Sequence, residues 1–166
     1  MTGRRDLMLG ATALMALSAC GGGKFKTYSG PAITAVQVFK ESRRMYLIAD
    51  REVVKDYKIS LGGDPIGPKR FEGDGKTPEG PYMIDRRNPN SAYHLSLGVS
   101  YPNASDRAFA EANGKKPGGD IFIHGQAGKN KGRGRDWTAG CIAVTDEEIE
   151  EIYSMVSNGT PIHIFP

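Results

Sequence analysis

Two side chains in this sequence are of the types that do covalent chemistry together. Cys141 sits in Asp136-Trp137-Thr138-Ala139-Gly140-Cys141-Ile142, and His124 in Ile121-Phe122-Ile123-His124-Gly125. A thiol attacks carbonyl carbon effectively once a base has taken its proton, and imidazole is the usual base near neutral pH. Gly140, just before the cysteine, permits a sharp turn in which the N–H groups of Gly140 and Cys141 aim at one point, as an oxyanion hole requires. Gly125 allows close backbone approach, and its carbonyl is placed to hold the far nitrogen of the His124 ring. Between the pair runs a loop in which glycines alternate with Lys129, Lys131, Arg133 and Arg135. It reads either as a solvated loop or as a basic one that meets substrate carboxylates.

Cysteine usage supports a reactive role. The chain has two cysteines, and Cys20 belongs to an N-terminal address. Arg4 and Arg5 precede an apolar run from Leu7 to Leu17, the layout of an export signal. That run is about half of the ~20 residues that span a bilayer. Leu17-Ser18-Ala19-Cys20 resembles a bacterial lipobox, in which Cys20 is lipidated and becomes the first mature residue. The Arg4-Arg5 pair also fits twin-arginine export. Gly21 after the cysteine, in place of an acidic residue, resembles outer-membrane sorting. An exported chain that retains one further thiol, in an oxidising compartment, has a reason to keep it.

Removing residues 1–19 takes away Arg4, Arg5 and Asp6 and leaves a net charge of +2, against +3 for the whole chain. So balanced a charge, with no Lys/Arg stripe at helical spacing, argues against nucleic acid as a partner. The remaining chain is long enough for one domain with a real core. The organisation expected is a signal peptide at 1–19, a lipidated N-terminus and short tether at 20–31, and one catalytic domain at 32–166.

The elements that must position the pair are mostly strands. Residues 33–39 and 45–48 are β-rich, and Val53, Tyr57, Ile59 and Leu61 alternate as one inward face of a third strand. Residues 62–81 are dense in Gly and Pro and predict an ordered loop forming one wall of a groove, followed by a short strand at Tyr82–Ile84. Tyr93, Leu95, Leu97, Val99 and Tyr101 alternate with polar residues as a half-buried strand whose polar face carries His94, directed to the groove or to solvent. A short helix is expected over residues 103–113, capped by Asn103 or Ser105. The strand over 120–124 ends at His124. Thr145-Asp146-Glu147-Glu148 is a capping box opening a helix with Ile149, Ile152, Tyr153 and Val156 on one face. Residues 161–165 form a closing strand, with His163 on its outer face.

His124-Gly125, a basic glycine-rich loop, and Thr138-Ala139-Gly140-Cys141-Ile142 together resemble the active-site signature of the YkuD-type L,D-transpeptidases. Gly67-Pro68-Lys69, Gly73-Asp74-Gly75-Lys76-Thr77-Pro78-Glu79-Gly80 and Tyr101-Pro102 are similar to further blocks of that family, so the resemblance covers roughly residues 32–165. It implies a mainly β, α+β fold: a sandwich of mixed and antiparallel strands with the active site in a loop-lined groove. It also implies peptidoglycan chemistry without a cofactor. Cys141 would attack the bond between the diamino acid and D-Ala of a stem peptide, His124 would protonate the leaving D-Ala, and an amine of a second stem peptide or of a wall-anchored lipoprotein would resolve the thioester. Gly125 and Gly140 would orient and stabilise. Trp137, Thr138, Tyr101, His94, Lys69, Arg133 and Arg135 are the candidates for substrate contact. Many members carry a His before the Gly-Cys and an Arg two residues after it, where this chain has Ala139 and Ala143. Similar branches hydrolyse peptidoglycan peptide or peptidoglycan–protein bonds, so an L,D-carboxypeptidase or endopeptidase is the alternative. A periplasmic location, lipid-anchored at Cys20, is implied. Two rivals come from other classes. A zinc site of His94, His124 and Cys141 has the right ligand types but no short His-x-x-His or Cys-x-x-Cys spacing. A wall-binding lipoprotein would have no use for the thiol.

Overall fold

The computed structural model describes residues 23–130 and 134–166. The expected export signal with Cys20, and Lys131, Gly132 and Arg133, lie outside the described residues. β1 (Ala35–Phe39) turns its valines inward, and β2 (Arg44–Ala49) returns antiparallel to it with Met45 opposite Val38. β3 (Glu52–Lys58) completes the expected meander. A register shift between Leu47 and Ile48 rotates the start of β3, because one slipped residue exchanges the faces of a strand. Val53 is therefore 58% exposed, and the inward row begins only at Tyr57, continuing through Ile59 and Leu61 beyond the end of the strand.

β8 (Pro161–Phe165) lies parallel to β1 on one edge and antiparallel to β4 (Gly80–Asn88) on the other. β4 belongs to two sheets. Its first half pairs with β8, and after a register shift between Ile84 and Arg86 its second half pairs with β5 (Ser96–Val99). β5 is followed by β6 (Phe122–His124) and then, in parallel, by β7 (Ile142–Ala143). The strand order is β3-β2-β1-β8-β4-β5-β6-β7, and a bridge from Ser60 to Ala143 joins the two ends. The result is the expected α+β architecture: two sheets sharing β4 around a core that includes Val38, Leu47, Ile84, Leu97, Ile123 and Ile164.

The fifth strand differs from its sequence pattern. Alternation from Tyr93 to Tyr101 suggests nine extended residues, yet only Ser96–Val99 is strand and all four are buried. Both of its faces are buried, with the Asp146–Met155 helix packed against it. His94 precedes it with φ of 79°, and its ring contacts Glu150 instead of the groove.

Both helices follow their caps. α1 (Ala104–Ala112) begins at Asn103, whose Oδ1 accepts the Asp106 N–H at 3.0 Å. In α2 (Asp146–Met155) Thr145 and Glu148 cap each other reciprocally, and Ile149, Ile152 and Tyr153 face β5 and β6. The segment before β1 is seated on the domain rather than free of it. Lys24 Nζ donates to the Pro89 carbonyl at 2.5 Å, Lys26 pairs with Glu150 at 3.3 Å, and Tyr28 packs on the core.

The Gly/Pro stretch between β3 and β4 is ordered from within by buried charge. Lys40 is fully buried, and its Nζ donates to the carbonyls of Gly67 (2.6 Å) and Thr77 (3.0 Å) and to Glu79 Oε1 (2.7 Å). Asp74 accepts from Lys69 Nζ at 2.8 Å and from the N–H groups of Arg70, Phe71 and Lys76 at 2.7–3.1 Å. Burial alone would raise the Asp74 carboxyl, but these donors together hold it below the usual carboxylate range. A carboxylate depressed in the folded state stabilises above its unfolded pKa of about 4, and that contribution disappears as pH falls through the folded value. Removing Lys40 would leave Glu79 and two carbonyls without their donor. Lys40→Met should therefore cost about 3 kcal/mol in urea unfolding; a loss within 0.5 kcal/mol would show that the ammonium does not organise the wall.

Candidate active site

The parallel register of β6 and β7 sets His124 opposite Ala143, and this brings Cys141, just before β7, beside the β6 residues. His124 and Cys141 line one cavity of about 260 Å³. Tyr93, Ser96, Asp120 and Phe122 share that cavity with them. His124 is only 4% exposed, and its Nδ1 lies 2.6 Å from the Gly125 carbonyl oxygen. With a carbonyl as partner, Nδ1 carries the proton, which leaves Nε2 as the basic nitrogen. The ring is packed against Tyr93 (centroids 4.5 Å apart) and edge-on to Trp137 (5.8 Å).

Glycine at 125 is a clearance requirement. A Cβ there would lie 2.5 Å from Asp146 Oδ1 and 2.9 Å from the Tyr93 carbonyl oxygen. The same Asp146 oxygen accepts the N–H groups of Gln126 (2.6 Å) and Ala127 (2.9 Å), so the first turn of α2 holds the chain that leaves His124. On the other side Asp136 accepts the Leu61 N–H at 3.0 Å and pairs with Arg43 at 2.8 Å, fixing the approach to the cysteine.

The turn at Cys141 depends on Thr138 and Gly140. Thr138 Oγ1 donates to the Cys141 carbonyl at 2.7 Å and accepts the Gly140 N–H at 3.1 Å. Gly140 has φ of 128°, and a Cβ there would sit 2.5 Å from the Lys76 carbonyl oxygen of the wall. Of the two N–H groups expected to aim at one point, that of Gly140 is thus engaged with Thr138. The N–H of Cys141 has no acceptor among the described residues. The Cys141 thiol itself donates to the Asp120 carbonyl at 3.4 Å.

Burial sets the electrostatics of the pair. It pushes the Cys141 thiol above its ordinary pKa, and the Phe122 N–H, which favours the thiolate, does not offset it. Burial also lowers His124 below the usual imidazole range, despite the Gly125 carbonyl. Both shifts favour the neutral forms, those of a half-buried thiol and a buried imidazole.

The sequence matches the YkuD family model, the L,D-transpeptidase catalytic domain, over residues 33–164. The chain belongs to the YkuD family. YafK of Escherichia coli (strain K12) is 32% identical over 128 residues, which are 74% of this chain and 46% of YafK. Among solved structures, the helical cell shape determining protein Pgp2 from Campylobacter jejuni has a TM-score of 0.61 at 26% identity, over 87% of this chain and 51% of that one. An L,D-transpeptidase from Mycobacterium smegmatis has a TM-score of 0.55 at 17% identity, over 81% and 59%, and is a likeness of fold. The chain spans about half the length of the YafK and Pgp2 chains it matches.

Within this YkuD domain the other residues singled out from sequence fall in different places. Trp137 borders the cavity through His124 and Tyr93, and Thr138 holds the cysteine turn. Lys69 is 4% exposed and engaged with Asp74 and the Phe71 carbonyl, so it acts inside the wall. Tyr101 is buried, its hydroxyl on the Pro117 carbonyl at 2.9 Å. Arg135 lines a separate hollow of about 600 Å³ with Arg43, Arg44, Lys58 and Ala143. His94 is on α2 through Glu150, at 2.8 Å, and Arg133 is outside the described residues. Among the described residues no cluster of three His, Cys, Asp or Glu gathers in a way that could hold a metal ion. Sequence reasoning missed Tyr93, Asp146 and Asp136. Asp146 was read only as part of a cap, and Tyr93 as an inward residue of a strand that begins after it.

A neutral resting pair has a measurable consequence. Alkylation of Cys141 by iodoacetamide should be slower at pH 7 than that of free cysteine, and should rise with pH beyond the ordinary thiol range of about 8.5. A rate that stays high and flat down to about pH 6, the unperturbed imidazole range, would instead show a preformed thiolate–imidazolium pair.

Proposed function

We propose that this domain is a cysteine-dependent L,D-transpeptidase that cleaves the bond between the diamino acid and D-Ala of peptidoglycan stem peptides and passes the acyl group to an amine. The observation that carries this reading is the placement of His124 and Cys141 in one cavity, with Nδ1 of the ring on the Gly125 carbonyl and Nε2 left basic. Membership of the YkuD family supports the substrate class.

The chemistry follows from the neutral pair. Nε2 of His124 takes the thiol proton as sulfur bonds to the scissile carbonyl carbon, so charge develops only in the transition state. The Cys141 N–H is the donor available to the resulting oxyanion. Collapse expels D-Ala, whose amine takes the proton from His124, and a thioester remains on Cys141. An acceptor amine then attacks the thioester, giving up a proton to His124, which returns it to the departing sulfur.

Water in place of the amine would make the same domain an L,D-carboxypeptidase or endopeptidase. Ala139 and Ala143, where many members carry His and Arg, favour keeping this second reading. The localisation proposed with either is the periplasm, anchored by lipid at Cys20 and sorted to the outer membrane, with a wall-bound lipoprotein as one possible acceptor partner.

Intact-protein mass spectrometry of the chain from Gly21, mixed with tetrapeptide muropeptides, tests the acyl-enzyme. The expected result is an adduct of the stem peptide minus D-Ala, absent from Cys141→Ala and reduced at least a hundredfold in rate by His124→Ala. Cross-linked products would establish transfer, and tripeptide alone hydrolysis. Muropeptide that binds without adduct or turnover would leave a binding module.

A further inference from the structure

Next to the cysteine, the sheet face that carries the cavity presents an ion pair that the mechanism above does not use. Asp120 lines the cavity, and its backbone carbonyl accepts the Cys141 thiol. Its side chain is 90% exposed, and its Oδ1 meets Arg86 Nη2 at 3.1 Å. The Arg86 guanidinium lies 4.6 Å from the ring centroid of Phe122, which also lines the cavity.

The sequence makes room for this arrangement. Arg86 pairs with Gly98 across β4 and β5, and Gly98 pairs with Phe122 across β5 and β6. A Cβ on Gly98 would lie 2.3 Å from Arg86 Cγ and 2.8 Å from Arg86 Nε. A strand-interior glycine loses packing and chain entropy, and here it lets the arginine lie flat along the sheet towards the cysteine. Asp120 holds a left-handed φ of 54°, unusual for a residue with a side chain. An exposed ion pair contributes little to stability, about 0–1 kcal/mol. Side by side at the mouth of a small cavity, an exposed carboxylate and a fork-shaped guanidinium, joined to each other through Oδ1 and Nη2, complement an ammonium and a carboxylate carried on a single carbon.

We propose that Asp120 and Arg86 form a specificity subsite for a zwitterionic amino-acid head group, Asp120 taking the ammonium and Arg86 the carboxylate. On the stem-peptide reading, on which this rests, that head group is the free end of a diamino-diacid side chain such as meso-diaminopimelate. Lysine in the same position offers the ammonium alone, and a diaminopimelate amidated at that carboxyl offers no charge to Arg86.

Two readouts test this with three tetrapeptides, bearing meso-diaminopimelate, its side-chain amide or lysine at the third residue. D-Ala release gives kcat/KM for each, and calorimetry on the Cys141→Ala chain gives binding without turnover. The expected preference for the free diamino diacid is about tenfold or more in both readouts, the scale of one charge-assisted hydrogen bond. Arg86→Met, which keeps the stem over Gly98, should bring that ratio close to one, chiefly through KM. Asp120→Asn should weaken all three peptides alike. The iodoacetamide rate of Cys141 in Arg86→Met reports whether the pocket is intact. Binding preference that depends on Arg86 without any turnover would keep the subsite and overturn the transpeptidase reading. Turnover whose preference is unchanged by Arg86→Met, or no preference in the parent chain, would overturn the subsite and leave the reaction standing.

Discussion

His124 and Cys141 meet because two very short strands, β6 and β7, run parallel with His124 opposite Ala143. Parallel neighbours cannot be joined by a tight turn, so the chain between them must travel as a long loop, and both ends of that loop then need an anchor. Asp146 supplies one from the first turn of α2, through the N–H groups of Gln126 and Ala127. Asp136 supplies the other, through Leu61 and Arg43. A slip of one residue in this pair would turn either the ring or the thiol to the other face of the sheet. The Ser60–Ala143 bridge, which closes the two ends of the strand order, resists such a slip.

The wall between β3 and β4 serves the same end by different means. It cannot be ordered by a hydrogen-bonded ladder, since Gly and Pro at this density form none, and it is ordered by ions placed inside it. Lys40, Lys69 and Asp74 draw loop carbonyls and N–H groups onto themselves, and the Lys76 carbonyl then comes so close to Gly140 that only glycine fits. Lys40 and Lys69 are thereby turned inward, away from solvent. That explains why Lys69, a candidate for substrate contact from the sequence, is an internal strut in the fold.

The electrostatics of the site follow from dryness. Burying a thiol and an imidazole together without a third charged group favours both neutral forms. In the proposed reaction such a pair keeps its proton until a carbonyl arrives to accept the sulfur, and the reactive charge then develops where the Cys141 N–H can meet it.

What the sequence determined by itself was local. The caps at Asn103 and Thr145, the meander of the first strands, and the glycines beside His124 and Cys141 are set by neighbours a few residues apart. The tertiary structure decided everything that depends on who covers whom. The alternation around β5 signals one dry face, but β5 is central and dry on both, so the strand shortens and His94 leaves for Glu150. Val53 has the period of a core residue and is exposed because the bulge between Leu47 and Ile48 rotates it outward. Asp120 and Arg86 are distant in sequence and unremarkable in composition, and only the order β4-β5-β6 lays them side by side at the cysteine. Spacing along a chain specifies faces; which face is buried, and which charges it brings together, is a property of the packed sheets.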